Sequence, residues 1–178
     1  MRIALIILVC IGFVSCEYSV INTSICQGQL EDIKGFEGSF ESRLADTSQN
    51  VSMDVTRLGV GHYRVVTKSK KFPTQRHENF TCRVNNLILI EQPIKDNKWN
   101  ILFKSRFTNT GLILETATFD KNLLDASGVA YKVTDDSVFG IKRYELAIEN
   151  QNIKPLELLG LQGVSSTEGA AMVEYFRK

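Results

Sequence analysis

The chain carries only two histidines, His62 and His77, so any imidazole-based acid–base or metal chemistry would have to run through them. A hydrolytic or group-transfer enzyme needs a nucleophile, a base and a group that orients the base. His62 stands in a segment of alternating polarity and His77 in a basic stretch, and both read as solvated side chains. The chain has no Gly-x-Ser-x-Gly elbow, no phosphate-binding glycine loop and no His-x-x-x-His pair. Asp135 and Asp136 are neighbours, so in a strand they would point apart, and in a loop they would cap a turn. With Cys26 and Cys82, the histidines are spaced wrongly for zinc. We therefore expect no enzymatic activity, no cofactor and no metal.

The cysteines point to a different chemistry. Met1-Arg2 is a short basic start, Ile3 to Val14 is a nearly unbroken apolar run, and Val14-Ser15-Cys16 precedes polar Glu17. Such a run is too short for a bilayer core of about 30 Å and has the form of a signal peptide, which predicts residues 1–16 as a leader and 17–178 as one secreted domain. Acylation of Cys16, as in a bacterial lipoprotein, is the alternative, although Phe13 stands where such leaders prefer Leu. Cys10 and Cys16 leave with the leader. Cys26 and Cys82 remain as an even pair, and in an oxidising compartment a disulfide is the default, worth about 3–4 kcal/mol in the chain-entropy picture. Asn22, Asn50 and Asn79 each open an Asn-x-Ser/Thr acceptor for N-glycosylation.

The charges exclude one class of partner. The full chain has 21 Lys and Arg against 20 Asp and Glu, and loss of Arg2 makes the two equal. A nucleic-acid or anionic-membrane footprint needs basic excess, so neither partner is expected. Lys68, Lys70, Lys71, Arg76 and His77 surround Phe72-Pro73 and read as one solvated basic loop, Lys68–His77, or as a glycan or phosphate site. No later stretch has membrane-spanning length.

The elements that must position these residues are strands. Phe36, Gly38, Phe40 and Ser42 alternate with charged neighbours, as do Val51, Met53 and Val55, and Tyr63, Val65 and Thr67. Phe80, Cys82 and Val84 lead into Leu87–Ile90, and Trp99, Ile101, Phe103, Ser105 and Phe107 share one face. Further strands are predicted over 111–119, 129–134, 138–148 and 156–161, with Gly, Asn, Asp and Ser turns between them. Short connections imply an antiparallel meander, and a long meander closes into a barrel to remove its edges. Ser165-x-x-Glu168 has the capping-box pattern, which predicts a short C-terminal helix to about Phe176. Leu30–Ile33 reads as a single turn before the first barrel strand.

Three segments, in order, resemble lipocalin motifs. Asp32–Ser42 resembles the first, with Phe36 as its hydrophobe, Gly38 as its glycine and Phe40 where the family has Trp. Tyr131–Asp136 resembles the Thr-Asp-Tyr motif, with Asp136 for Tyr. Leu158–Leu161 resembles the third motif, with Leu161 in the arginine's place. In lipocalins that arginine lies across the tryptophan and closes the barrel base by a cation–π contact; Phe40 against Leu161 would replace the pair by apolar packing. The resemblance implies an all-β, antiparallel up-and-down barrel with a short C-terminal helix. The chain offers more strand-like segments than the eight of that barrel, so a larger calycin-type barrel and an unrelated β-sandwich are the alternatives.

What lipocalin resemblance implies is a secreted carrier of a small hydrophobic ligand such as a lipid, retinoid, pigment or odorant. Tyr63, Trp99, Phe103, Phe107 and Tyr131 are the lining candidates, with Phe40, Phe80 and Tyr144 on the same strand parity. The other reading is a secreted interaction module that binds a cell-surface receptor or a glycan through its loops. A carrier keeps a cavity; a module packs solid. Amino-terminal sequencing of the secreted protein is expected to begin at Glu17, and an intact Met1 in the medium would refute the leader.

Overall fold

In a computed structural model of the chain, residues 16–43, 50–84, 87–94, 99–117, 122, 125–126, 130–136, 141–147 and 172–178 are described. They form eleven strands. The first six are β1 (Cys16–Ile21), β2 (Gly38–Ser42), β3 (Val51–Gly59), β4 (His62–Ser69), β5 (Gln75–Val84) and β6 (Leu87–Ile94). Then follow β7 (Trp99–Phe107), β8 (Gly111–Thr116), β9 (Tyr131–Asp136), β10 (Ile141–Leu146) and β11 (Met172–Arg177).

Eight of these strands close a barrel. β2 through β8 pair in chain order, and β11 then pairs antiparallel with both β8 and β2. The remaining three explain the surplus of strand-like segments. β1 takes up the outer edge of β7 through Val20↔Ile101 and Ile21↔Asn100, where β8 has left it. β10 pairs parallel with β1, and β9 pairs antiparallel with β10, so a small side sheet grows from the barrel wall. The chain is therefore an all-β protein built on a closed antiparallel eight-stranded barrel.

The C-terminal helix expectation is corrected where the residues are described. Met172–Arg177 is the closing strand, not helix. Val173 and Tyr175 are buried while Glu174 is exposed, a period of two. Tertiary pairing on both edges outweighs local helix propensity here. Ser165, the predicted cap, and the strand expected over 156–161 lie outside the described residues.

Inward and outward positions alternate cleanly. On β3, Val51, Met53 and Val55 are buried, and on β4 Tyr63, Val65 and Thr67 are. These join Phe36, Phe40, Ile90, Phe103, Leu112 and Tyr175 in the interior core. A second cluster lies outside the wall, where Ile25, Cys26, Cys82, Leu89, Leu102 and Leu146 pack between the N-terminal segment, the barrel and the side sheet. The Cys26–Cys82 disulfide, with Cα atoms 5.3 Å apart, ties that segment to β5.

One end is sealed by the chain that crosses it. Residues Leu30 to Glu37 run beneath the barrel, and Ile33 and Phe36 point into it. Phe36 meets Tyr63 edge-on at 4.9 Å and Phe107 at 6.1 Å. The turn falls at Ile33–Phe36, closed by a Phe36 N–H to Ile33 carbonyl bond of 3.1 Å, rather than at Leu30–Ile33. Asp32 receives the Arg57 guanidinium at 3.0 and 2.6 Å and the Gly61 N–H at 2.9 Å. Those bonds, Arg57's first, hold its carboxyl below the usual carboxylate range.

Gly61 itself admits no side chain. Its φ is +59°, and a Cβ would stand 2.7 Å from the Glu31 amide nitrogen and 2.9 Å from the Thr81 carbonyl. The β3–β4 turn thus presses directly on the crossing segment. Gly61→Ala is expected to destabilise the protein by roughly 3 kcal/mol, combining left-handed strain with overpacking. Urea denaturation checks it; an unchanged midpoint would show that the crossing segment is loosely held.

Candidate functional site

The sealed base and the opposite end differ in chemistry. At the base, Arg177 ends β11 with its guanidinium 5.5 Å from the centre of the Phe40 ring. It donates to the carbonyls of Gly35 and Glu37, at 2.9 Å each. Gly38 adopts φ +137°, a conformation that side-chain-bearing residues rarely take, and the guanidinium lies 3.6 Å from where its Cβ would be, an ordinary contact distance. The expected partner of Phe40 was Leu161, which lies outside the described residues; the side chain that covers Phe40 is Arg177. Sequence reading missed it because the terminal segment was read as helix, which removes the register that brings residue 177 beside residue 40.

The other end is the mouth. Phe72, from the β4–β5 connection, packs on the interior core together with Ile94 and Trp99. Ile94 and Trp99 are register partners at the ends of β6 and β7. Beside them lies a cleft of about 980 Å³. It starts at the rim, at Pro73–Glu78, Pro93 and Ile94, and continues along the outer wall past Phe80, Glu91 and Asn100, where the N-terminal segment at Asn22–Ser24, Gln27 and Leu30 forms its other side. Volumes of this order are typical of small-molecule sites.

The interior below is narrow. A cavity of about 20 Å³ remains at the waist, walled by Met53, Val65, Ile90, Phe103, Leu114 and Tyr175 above Phe36, and by the amides of Asn79 and Gln92. That is room for one water-sized group. Burial pushes the Tyr175 phenol up to about 12, so it is a neutral hydroxyl at any physiological pH. His77 links the two spaces. It lines the cleft, and its Nδ1 stands 3.4 Å from Gln92 Nε2 while Nε2 stands 3.1 Å from Gln75 Oε1. Burial lowers the pKa of its imidazole, which favours the neutral ring.

Three polar atoms in this interior have no partner among the described residues: Asn79 Oδ1, Gln92 Oε1 and Thr67 Oγ1. Their residues are 5%, 1% and 2% exposed. Leaving such an atom unsatisfied costs about 1–3 kcal/mol, and native proteins keep few of them without a reason.

The expected lining residues divide by position. Phe103 borders the waist cavity, and Trp99 packs at the mouth. Tyr63 and Phe107 belong to the sealed base: the Tyr63 hydroxyl accepts the Ile33 N–H at 3.2 Å and donates to Asp32 at 3.4 Å. Tyr131 corrects the expectation, because β9 is in the side sheet. Its ring packs on the outer cluster and its hydroxyl donates to Asp125 at 3.0 Å. Tyr144 likewise lies on β10 of that sheet, and Phe80 faces outward, stacked on His62 at 4.8 Å. Asp135 and Asp136 are strand residues paired with Lys142 and Ile141, not turn caps.

The basic loop is smaller than expected. β4 runs to Ser69 and β5 starts at Gln75; Lys68 pairs with Asp54 at 3.2 Å and His77 faces inward. Asn79, the third expected glycan acceptor, is buried, and its side chain lines the cavity. Asn22 is exposed and Asn50 half-buried.

Two residues that sequence reading passed over matter here. Glu91 is 1% exposed, and its Oε2 accepts the N–H groups of Ile25 and Cys26 at 2.8 and 2.9 Å, fastening the disulfide-bearing segment to the wall. Gln92 is the next residue and faces the opposite way, inward. The available signal was a Glu-Gln pair ending an aliphatic strand, where alternation sends one polar side chain to each face.

Gln92→Met keeps length and removes an unpartnered carbonyl, so it is expected to stabilise the unliganded protein by about 1 kcal/mol. Thermal unfolding checks this, and a lowered midpoint would mean that the His77 contact outweighs the buried oxygen. Comparison of the chain with protein families, with curated proteins and with solved structures finds no match.

Proposed function

We propose that this protein is a secreted, lipocalin-type carrier that holds one small, largely apolar molecule at the mouth of its barrel. The observation that carries the reading is the cleft of about 980 Å³ lined by His77, whose ring meets Gln92, a residue with a buried, unpartnered carbonyl oxygen at the waist. A buried oxygen of that kind is one that a donor group on a ligand would satisfy at a gain. The barrel supports the family reading through its eight-stranded closure, its crossing N-terminal segment and an arginine lying over the aromatic ring of Phe40.

The guest's apolar body would lie against Pro73, Pro93 and Ile94 of the cleft, next to Trp99, the register partner of Ile94, and not deep in the barrel, because the base is filled by Phe36, Tyr63 and Phe107. Burial of hydrocarbon is favourable by about 25 cal/mol per Å², so a few hundred Å² would support micromolar binding after the cost of association. The disulfide fits an oxidising compartment, and no helix among the described residues is long and apolar enough to cross a membrane.

The tightly filled waist is the observation that favours the other reading, a secreted module binding a receptor or glycan through its loops. Native mass spectrometry of the secreted protein separates the two. A co-purifying small molecule, released on denaturation, is the expected result. Trp99, the single tryptophan, should then shift its emission saturably with retinol, a fatty acid or a polarity-sensitive dye. An unliganded mass and no response to any apolar probe would leave the module.

A further inference from the structure

We infer that the guest binds head first and that its head is an uncharged hydrogen-bond donor of hydroxyl size, seated between the side-chain carbonyls of Asn79 and Gln92. The inference rests on the carrier reading and adds the chemistry that the carrier selects.

Size comes from the cavity. The waist holds about 20 Å³, enough for one heavy atom with its hydrogens and not for a ring or a branched group. Polarity comes from the two amides, which stand on the adjacent strands β5 and β6 and are the only polar side chains lining this cavity, the Tyr175 phenol apart. Both present carbonyl oxygens without a donor, so the complementary group must carry an O–H or N–H. Thr67, one inward position nearer the mouth than Val65, adds a third unpartnered oxygen along the same approach.

Charge follows from the cavity lining, which has no charged side chain among the described residues. Glu91 is the buried carboxylate nearest in sequence, and its Oε2 is committed to the Ile25 and Cys26 amides in the outer segment. An ammonium at the waist would therefore be an uncompensated cation, and a carboxylate would meet two carbonyl oxygens; either is expelled by desolvation. A primary alcohol meets the conditions of size and charge. Its O–H would donate to one of the two carbonyls, with its hydrocarbon chain directed toward Ile94 and Trp99 at the mouth.

The test uses the intact secreted protein and three probes of one chain length: decanol, decyl methyl ether and decanoate. Binding is read from Trp99 emission in the wild type and in Asn79→Leu and Gln92→Met. Decanol is expected to bind roughly tenfold more tightly than the ether, since the ether leaves the carbonyls unmet. Since one O–H serves one carbonyl at a time, each single substitution should keep part of the difference, and the double substitution Asn79→Leu with Gln92→Met should bring alcohol and ether within about a factor of two of each other, with ether binding retained. Equal binding of alcohol and ether by the wild type overturns the inference, since a trapped water alone would then serve the amides. So does tightest binding by decanoate. Binding of none of the three overturns the carrier reading itself. If the variants fail to fold by circular dichroism, the wild-type comparison of alcohol with ether decides alone.

Discussion

Everything in this fold depends on β11 lying between β2 and β8. Those two strands begin and end the meander, and without a strand between them each would be an exposed edge with a row of unpaired amides and carbonyls. Six residues at the C-terminal end of the chain supply the missing ladder: Leu114, Leu112 and Gly111 of β8 face Val173, Tyr175 and Phe176, while Ser42 and Phe40 of β2 face Tyr175 and Arg177. The approach is tight, because a Cβ on Gly111 would collide with the Tyr175 backbone. Arg177 then fixes the register at the base by holding the Gly35 and Glu37 carbonyls while it covers Phe40.

Closure divides the interior into a stable half and a strained half. The base is satisfied throughout: aromatic rings meet edge to face, Asp32 is matched by Arg57 and by the Gly61 amide, and Thr81 bonds both backbone directions of Glu31. The upper half is not. It keeps Thr67, Asn79 and Gln92 with unmet oxygens where Val, Leu and Met would pack as well. A sequence under pressure for stability alone would not place amides there, since each costs free energy that the base must offset. That asymmetry is the ground on which binding at the mouth is proposed.

The outer face has its own logic. Glu91 holds the Ile25 and Cys26 amides and the disulfide holds Cys26, from neighbouring strands. The N-terminal segment is thereby pinned to the wall beside the cleft, while β1, β9 and β10 continue the wall from β7. These attachments give the cleft one side that is covalently fixed.

Period-two alternation of Val51, Met53 and Val55, or of Tyr63, Val65 and Thr67, determined the strands and their buried faces, because local polarity is enough to say which side avoids water. The even pair Cys26 and Cys82 likewise determined the disulfide. Alternation could not say which strands close the barrel, since pairing partners are chosen by distant chain segments. Met172–Arg177 has the composition of either a strand or a capped helix, and only the vacancy between β2 and β8 decides for the strand. The same limit hid the site. Asn79 reads locally as a glycan acceptor and Tyr131 as a lining aromatic, but the ladder turns Asn79 inward and carries Tyr131 to the side sheet. A side chain's face is local knowledge; what stands opposite it is decided only when the barrel closes.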